Sequence, residues 1–211
     1  MPPAPVRDES RHSAKWQARR DAIVDTSARL FARRGYHATG ITELCEANEL
    51  GRGALYHYIG SKEELLAAIH DQVMDEVMAC AERVAQTGGS PSAQLAQHGE
   101  ELLDVIHRYP DHVWVFLHEF PALTGERAAQ FRERRRAYEE RIEAVLRAGV
   151  ASGEFRHLDA WLTARAWLGM HNYTYLWLHP GGRLSARDVA SPFAQIFLRG
   201  IGQATDGQGA E

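Results

Sequence analysis

Cysteine is nearly absent from this chain: Cys45 and Cys80 are the only two among 211 residues, and they form no CxxC pair. That excludes a disulfide framework and a cysteine-based zinc site, and it predicts a protein of the reducing cytoplasm. No uncharged apolar run of about 18 residues occurs, so no membrane partner is expected. The opening MPPAPVRDESRHSAKWQARR is charged and lacks the apolar centre of a secretory signal. Strand-like alternation is almost missing. So are GxSxG, HExxH, a Walker-type loop and paired carboxylates, which reads as a non-enzyme with no cofactor. GRGALY at 51–56 imitates a GxGxxG loop, but no strand precedes it and Tyr56 stands where the third glycine belongs.

What is present is apolar and helical. Hydrophobic residues make up 45% of the chain, enough for a substantial core and too many for a disordered tail. The net charge of -4 is unevenly spread. Residues 1–62 hold ten Lys/Arg against seven Asp/Glu, and the remainder holds fourteen against twenty-one. A mildly basic head on an acidic body is compatible with a polyanion bound at the head.

Helical periodicity predicts an all-α protein of about nine helices. The first runs from about Lys15 to Arg34 and stops at Gly35, with Arg33 and Arg34 suited to its C-terminal dipole. Thr39 is the expected N-cap of a short helix through Ala47. After a turn at Asn48 and Glu49, a third short helix spans about Gly51 to Tyr58. Ser61 and Glu64 have capping-box spacing for a fourth helix to about Ala85. Five more are expected over 93–108, 111–120, 124–151, 159–179 and 185–203, with Pro192 kinking or restarting the last. The first dozen residues and the tail GQATDGQGAE are expected to be loose.

The stretch NELGRGALYHYIGSKEELL at 48–66 is an odd choice for a buried helix. Two glycines flank Arg52, each costing about 1 kcal/mol against alanine in a helix interior. Tyr56, His57 and Tyr58 follow in a row and cannot all face a core. Two short helices joined by a brief turn and backed by a first helix make a helix-turn-helix, whose second helix enters the major groove by its N-terminal end. Bare Gly51, Gly53 and Ala54 would allow close approach, and Arg52 could reach guanine or phosphate. Thr39, Thr42, Tyr56, His57 and Lys62 are the expected partners of the DNA backbone.

Residues 23–66 resemble the N-terminal domain of the TetR family of transcriptional regulators. The likeness rests on LFxxxGY at 30–36, Thr39, Ile41 and Leu44, RGALYHY at 52–58 and SKEEL at 61–65. Three departures stand out. Glu49-Leu50-Gly51 replaces the family's usual Gly-Val-Ser, so Asn48 or Glu49 must supply any left-handed turn conformation. The serine cap is lost, and Ile59 replaces a common phenylalanine. The resemblance implies a DNA-binding domain at 1–60 and a ligand-binding and dimerisation domain at 61–211, with the helix at 61–85 as connector. It further implies a homodimer on an inverted-repeat operator, responsive to a small effector.

The body carries residues suited to those two tasks. DAWLTARAWLGMHNYTYLWLH at 159–179 is apolar on two faces, and a helix of that kind must bury both. Trp161, Leu168 and Tyr175, with Val189, Phe193, Ile196 and Phe197 of the last helix, are the expected dimer interface. Trp114, Phe116, His118, Phe120, Phe131, Trp167, Met170, His171 and Tyr173 are the candidate ligand lining, with Glu119 and Asn172 as further polar interruptions. WLHPGGRLSARDVA at 177–190 is similar to TetR-type repressors of fatty-acid and sterol breakdown, which implies an acyl-CoA effector. Arg132 and Arg134 to Arg136 could meet its phosphates, or could instead pair with Glu139 and Glu140 on a solvated face. His107, His112 and His118 with Glu119 leave a metal-sensing regulator as the alternative, ahead of an all-α enzyme.

Overall fold

The computed structural model describes residues 7–202, with side chains from residue 13. Among them run nine α-helices: α1 (Arg7–Arg34), α2 (Ile41–Ala47), α3 (Arg52–Ile59), α4 (Lys62–Thr87), α5 (Pro91–Arg108), α6 (Pro110–His118), α7 (Gly125–Ala151), α8 (Ala160–Asn172) and α9 (Ala186–Ile201). Single 3-10 turns occupy Phe120–Ala122 and Tyr173–Leu176. The all-α expectation holds. Helix α1 begins eight residues earlier than expected, so 7–12 are helical. The loose ends expected at 1–6 and 203–211 lie outside the described residues. Two compact units emerge, residues 1–72 with 111–129 and residues 73–110 with 130–211. The segment 111–129, which sequence reading gave to the body, is thus grouped with the head.

In the first unit, Ile23 and Phe31 of α1, Leu44 of α2, Leu55 and Ile59 of α3, and Leu65 and Leu66 of α4 are buried. Gly35 ends α1 at φ 84, its N–H donating to the Phe31 carbonyl at 2.7 Å. Thr39 is not the cap of α2. It is fully buried, its hydroxyl donates to the Gly35 carbonyl at 2.8 Å, and Gly40 takes the cap position. Glu43 accepts the Gly40 N–H at 2.8 Å, half of a capping box, and also pairs with Arg34.

The turn between α2 and α3 is closed as a Schellman motif. Leu50 N–H reaches the Cys45 carbonyl at 2.9 Å and Glu49 N–H the Glu46 carbonyl at 3.2 Å. Glu49 supplies the left-handed residue at φ 54, the one non-glycine residue so placed among those described, while Asn48 stays at φ -100. Asn48 is buried and donates from Nδ2 to the Leu44 carbonyl. A Cβ at positive φ is strained, so Glu49→Gly is expected to raise stability by about 0.5–1 kcal/mol. A urea midpoint that fell instead would show Glu49 making contacts worth more than the strain.

Helix α4 is capped as expected on one side only. Ser61 Oγ accepts the Glu64 N–H at 3.0 Å, but the Glu64 carboxylate turns to Arg127 instead of reaching back. The same unit ties the head to α6 and the start of α7. Tyr36 N–H donates to Glu119 at 3.0 Å, Thr124 donates through N–H and Oγ to Glu63 at 2.9 and 2.7 Å, and His112 Nε2 lies 3.1 Å from Asp25.

The second unit is capped more conventionally. Ser90, Asp159 and Ser185 accept the N–H groups of Ala93, Leu162 and Asp188, and Asp188 returns a bond to Ser185 N–H. The helix expected over 159–179 stops at Asn172. Thr174 takes the His171 carbonyl with its hydroxyl at 2.7 Å, an acceptor that the next helical turn would need, and a 3-10 turn follows. Helix α9 runs through Pro192 without a break. Leu103, Leu178, Ala186, Val189 and Ala190 form a core cluster, with Leu184 and Phe193 packed against it. Beyond α7, Phe155 N–H bonds the Gly149 carbonyl, Arg156 N–H bonds the Ile201 carbonyl, and Phe155 bridges Gly202.

Candidate nucleic-acid interface

Helix α3 buries Leu55 and Ile59 and leaves Arg52, Gly53, Ala54 and His57 exposed, with Tyr56 half-buried. Gly51 caps it at φ -70, ψ 156, with no side chain to satisfy the first N–H groups. A Cβ placed on Gly51 or Gly53 would meet nothing within 4 Å, and neither residue has a positive φ. Neither packing nor backbone geometry within the chain therefore requires glycine here. Those unpaired helix-start N–H groups, with the positive end of the helix dipole, suit an approaching anion.

Around this tip the expected partners are placed unequally. Arg52 is exposed, its guanidinium 5.9 Å from the Tyr56 ring centre. Thr42 is exposed in the first turn of α2, whereas Thr39, buried and bonded to Gly35, has no hydroxyl to offer a phosphate. The Lys62 ammonium lies 4.2 Å over the Tyr36 ring. Partial burial lowers its pKa, and the Glu119 charge opposes that shift. His57 accepts a hydrogen bond at Nε2 from the Trp16 indole at 3.3 Å. Sequence reading missed Trp16; its only signal was a tryptophan in a charged stretch of α1.

The nine candidate lining residues divide between the two units. In the first, His118 is exposed and stacks on Trp114 at 4.5 Å, Phe116 meets His70 at 5.7 Å, and Phe120 is exposed. In the second, Phe131, Trp167 and His171 are buried and Met170 is half-buried. The His171 ring packs 4.1 Å from Trp167, its Nδ1 2.8 Å from the Trp167 carbonyl. Tyr173 is 64% exposed on the 3-10 turn, so it is not a buried lining residue. Glu119, read as a polar cavity group, instead holds Tyr36 N–H.

The interface residues also separate. Trp161 and Ile196 are 54% and 67% exposed, and Leu168, Tyr175 and Phe197 are half-buried. Val189 is corrected: it belongs to the protomer's own core, and Phe193 packs against that core. Leu162 and Trp177, on the expected helix's second apolar face, are exposed as well, and so is Leu176. Arg165 lies 3.8 Å over Trp161 and pairs with Glu139 and Glu143.

Of the arginine cluster, Arg134 pairs with Asp75, Arg135 with Glu139 and Arg136 with Glu140, the solvated-face arrangement. His112, His118 and Glu119 face Asp25, Trp114 and Tyr36 respectively, and no group of three metal-ligating side chains occurs among the described residues. No described helix is long and apolar enough to cross a membrane.

Comparison with known proteins agrees with this geometry at both ends of the chain. Residues 23–69 match the family described as bacterial regulatory proteins, tetR family, and residues 88–201 match the tetracyclin repressor-like C-terminal domain. The transcriptional repressor KstR2 of Rhodococcus jostii is 29% identical over 95% of this chain and 98% of its own length. Among solved structures, the TetR family regulator PfmR from Thermus thermophilus superposes with a TM-score of 0.79 at 31% identity, covering 86% of this chain and 99% of that one. AibR, solved with isovaleryl coenzyme A and operator DNA, gives a TM-score of 0.76 at 32% identity over 84% of this chain and 97% of its own. With an exposed, glycine-bare α3 at one end and family matches over head and body alike, this chain belongs to the tetR family of bacterial regulatory proteins.

Proposed function

We propose that the chain is a cytoplasmic, homodimeric repressor that holds an inverted-repeat operator through α3 and releases it on binding an acyl-CoA thioester. The observation carrying the DNA reading is the exposed tip of α3, where two glycines serve no need of the free protein. A two-fold dimer would set its two recognition helices about 34 Å apart, one turn of duplex. Residues 1–60 are the proposed DNA-binding part and 61–211 the ligand-binding and dimerisation part. Thr42, Arg52, Gly53, Ala54, Tyr56, His57 and Lys62 are the proposed contacts. In the body, Trp161 and Ile196 are proposed to be covered by the second copy, and Phe131, Trp167, Met170 and His171 to meet the effector. The effector class is supported by AibR, whose solved complex holds isovaleryl coenzyme A. Repression is supported by the KstR2 relative. Free Cys45 and Cys80 accord with the cytoplasm.

The test is fluorescence anisotropy on duplex DNA from the region upstream of the chain's own coding sequence, at fixed salt, with and without a panel of acyl-CoAs. Selective binding relieved by one thioester supports both halves. Binding that none relieves discards the effector class, and an absence of selective binding discards the DNA reading. Arg52→Ala is expected to cost about 1–3 kcal/mol and relax sequence preference if Arg52 reads a base. Gly53→Ala is expected to stabilise the free protein by about 0.5–1 kcal/mol while weakening operator binding. Operator affinity unchanged in Gly53→Ala would remove the close-approach argument.

A further inference from the structure

Trp16 lies in the α1 segment SAKWQARR, and its side chain is 36% exposed. Its indole N–H donates to His57 Nε2 at 3.3 Å, and its ring stands edge-on to the imidazole with centres 6.4 Å apart. The same indole meets Tyr58 at 5.7 Å, and Tyr58 flanks the imidazole at 5.5 Å. Two aromatic neighbours and one hydrogen bond therefore fix the plane and the flip of an otherwise exposed histidine.

An indole N–H can only donate, so the nitrogen that receives it must carry a lone pair. In a neutral imidazole the proton then resides on Nδ1. We infer that Trp16 is a positioning residue for DNA binding, which holds His57 as the Nδ1–H tautomer and so keeps that N–H available to a phosphate oxygen. The inference rests on reading α3 as the DNA-facing helix. Without the indole, the imidazole flips between its two orientations and shares its proton between two nitrogens. The phosphate donor is then in place only part of the time. Sequence-independent phosphate contacts of this kind set register on the duplex, so the effect is on affinity for all sites alike.

Trp16→Phe separates this role from packing, because it keeps a ring against Tyr58 and removes only the donor. In the full-length protein, nitrogen NMR of His57 is expected to show the Nδ1–H tautomer in wild type and a mixture in Trp16→Phe. Affinity for the upstream duplex is expected to fall about 3- to 10-fold in Trp16→Phe, as when the competent imidazole state drops to between about a third and a tenth of the population, with an unchanged unfolding midpoint. His57→Ala added to Trp16→Phe should then cost less than His57→Ala alone. An Nε2–H tautomer in wild type overturns the inference, as does wild-type affinity in Trp16→Phe. A loss of affinity that tracks a lowered unfolding midpoint with an unchanged tautomer assigns packing and overturns it too. Arg52→Ala tells the two readings apart. If it loses selectivity while Trp16→Phe binds normally, the DNA-facing α3 stands and only the role of Trp16 fails. If the wild-type protein itself binds without selectivity, both fail.

Discussion

Acidification from pH 7 to pH 4 is expected to remove about 3 kcal/mol of stability for each of two buried histidines, His98 and His171. Burial pushes the pKa of His98 down to about 4, helped by the Arg141 charge and opposed by Glu101. Burial does the same to His171, also to about 4, against the opposing hydrogen bond to the Trp167 carbonyl. Both folded values lie below the unfolded value of about 6.5, so the unfolded chain takes up protons first as the pH falls. The stabilisation is complete above about pH 6.5, is lost progressively as pH falls towards the folded values, and levels off below about 4. Urea titrations at several pH values in this window measure the slope. His98→Gln and His171→Gln each lower the starting stability, but each should also flatten part of the pH slope, the rest being shared with His70 and His112, whose pKa values burial also lowers. A slope that neither substitution changes would place the acid lability elsewhere.

Gly149→Ala is the second large effect. An alanine inside a helix normally gains about 1 kcal/mol over glycine. Here a Cβ would fall 2.1 Å from Phe155 Cδ2 and 2.3 Å from Cε2, distances that no contact tolerates. The ring cannot simply swing away. Phe155 is 1% exposed, its N–H is bonded to the Gly149 carbonyl at 2.9 Å, and its backbone bridges Gly202. A net loss of about 3 kcal/mol is therefore expected, at the upper end for overpacking. Phe155→Leu in the same chain should recover part of it, since a smaller side chain relieves the clash, and a double-mutant cycle on urea midpoints gives the coupling. Independent, additive losses would show that the two residues do not compete for this space. The contrast with Gly53 is instructive: the same substitution changes sign with what surrounds the new methyl group.

Much of this was legible because local chemistry decided it. Gly35 stops α1, Ser61 caps α4, and the run around Arg52 declares an exposed short helix. What escaped depended on partners distant in the chain. Thr39 looks like a cap until its hydroxyl is spent on the Gly35 carbonyl. Glu64 completes a capping box on paper, but Arg127 competes for its carboxylate. Glu119 and His112 read as cavity or metal groups, and the fold gives them Tyr36 and Asp25. The break at Asn172 hides inside an unbroken apolar pattern because periodicity registers faces and not carbonyl acceptors. Val189 belongs to the same apolar stripe as Ile196, and only tertiary packing assigns one inward and the other outward. For Glu49 the sequence narrowed the left-handed residue to two, and hydrogen bonding to Cys45 and Glu46 chose between them.

The bonds joining residues 155 and 156 to 201 and 202 close a circuit that contains all of α8 and α9. Loop closure carries an entropic cost that grows only with the logarithm of length, so one closure restrains both helices for little more than it would restrain one. The Arg156 guanidinium adds a bond to the Gly200 carbonyl at the same junction. The residues just before α8 are thereby tied to the C-terminal end of α9. The exposed apolar residues of the two helices, Trp161 on one and Ile196 on the other, lie within one closed circuit of the chain, each five residues from its seam.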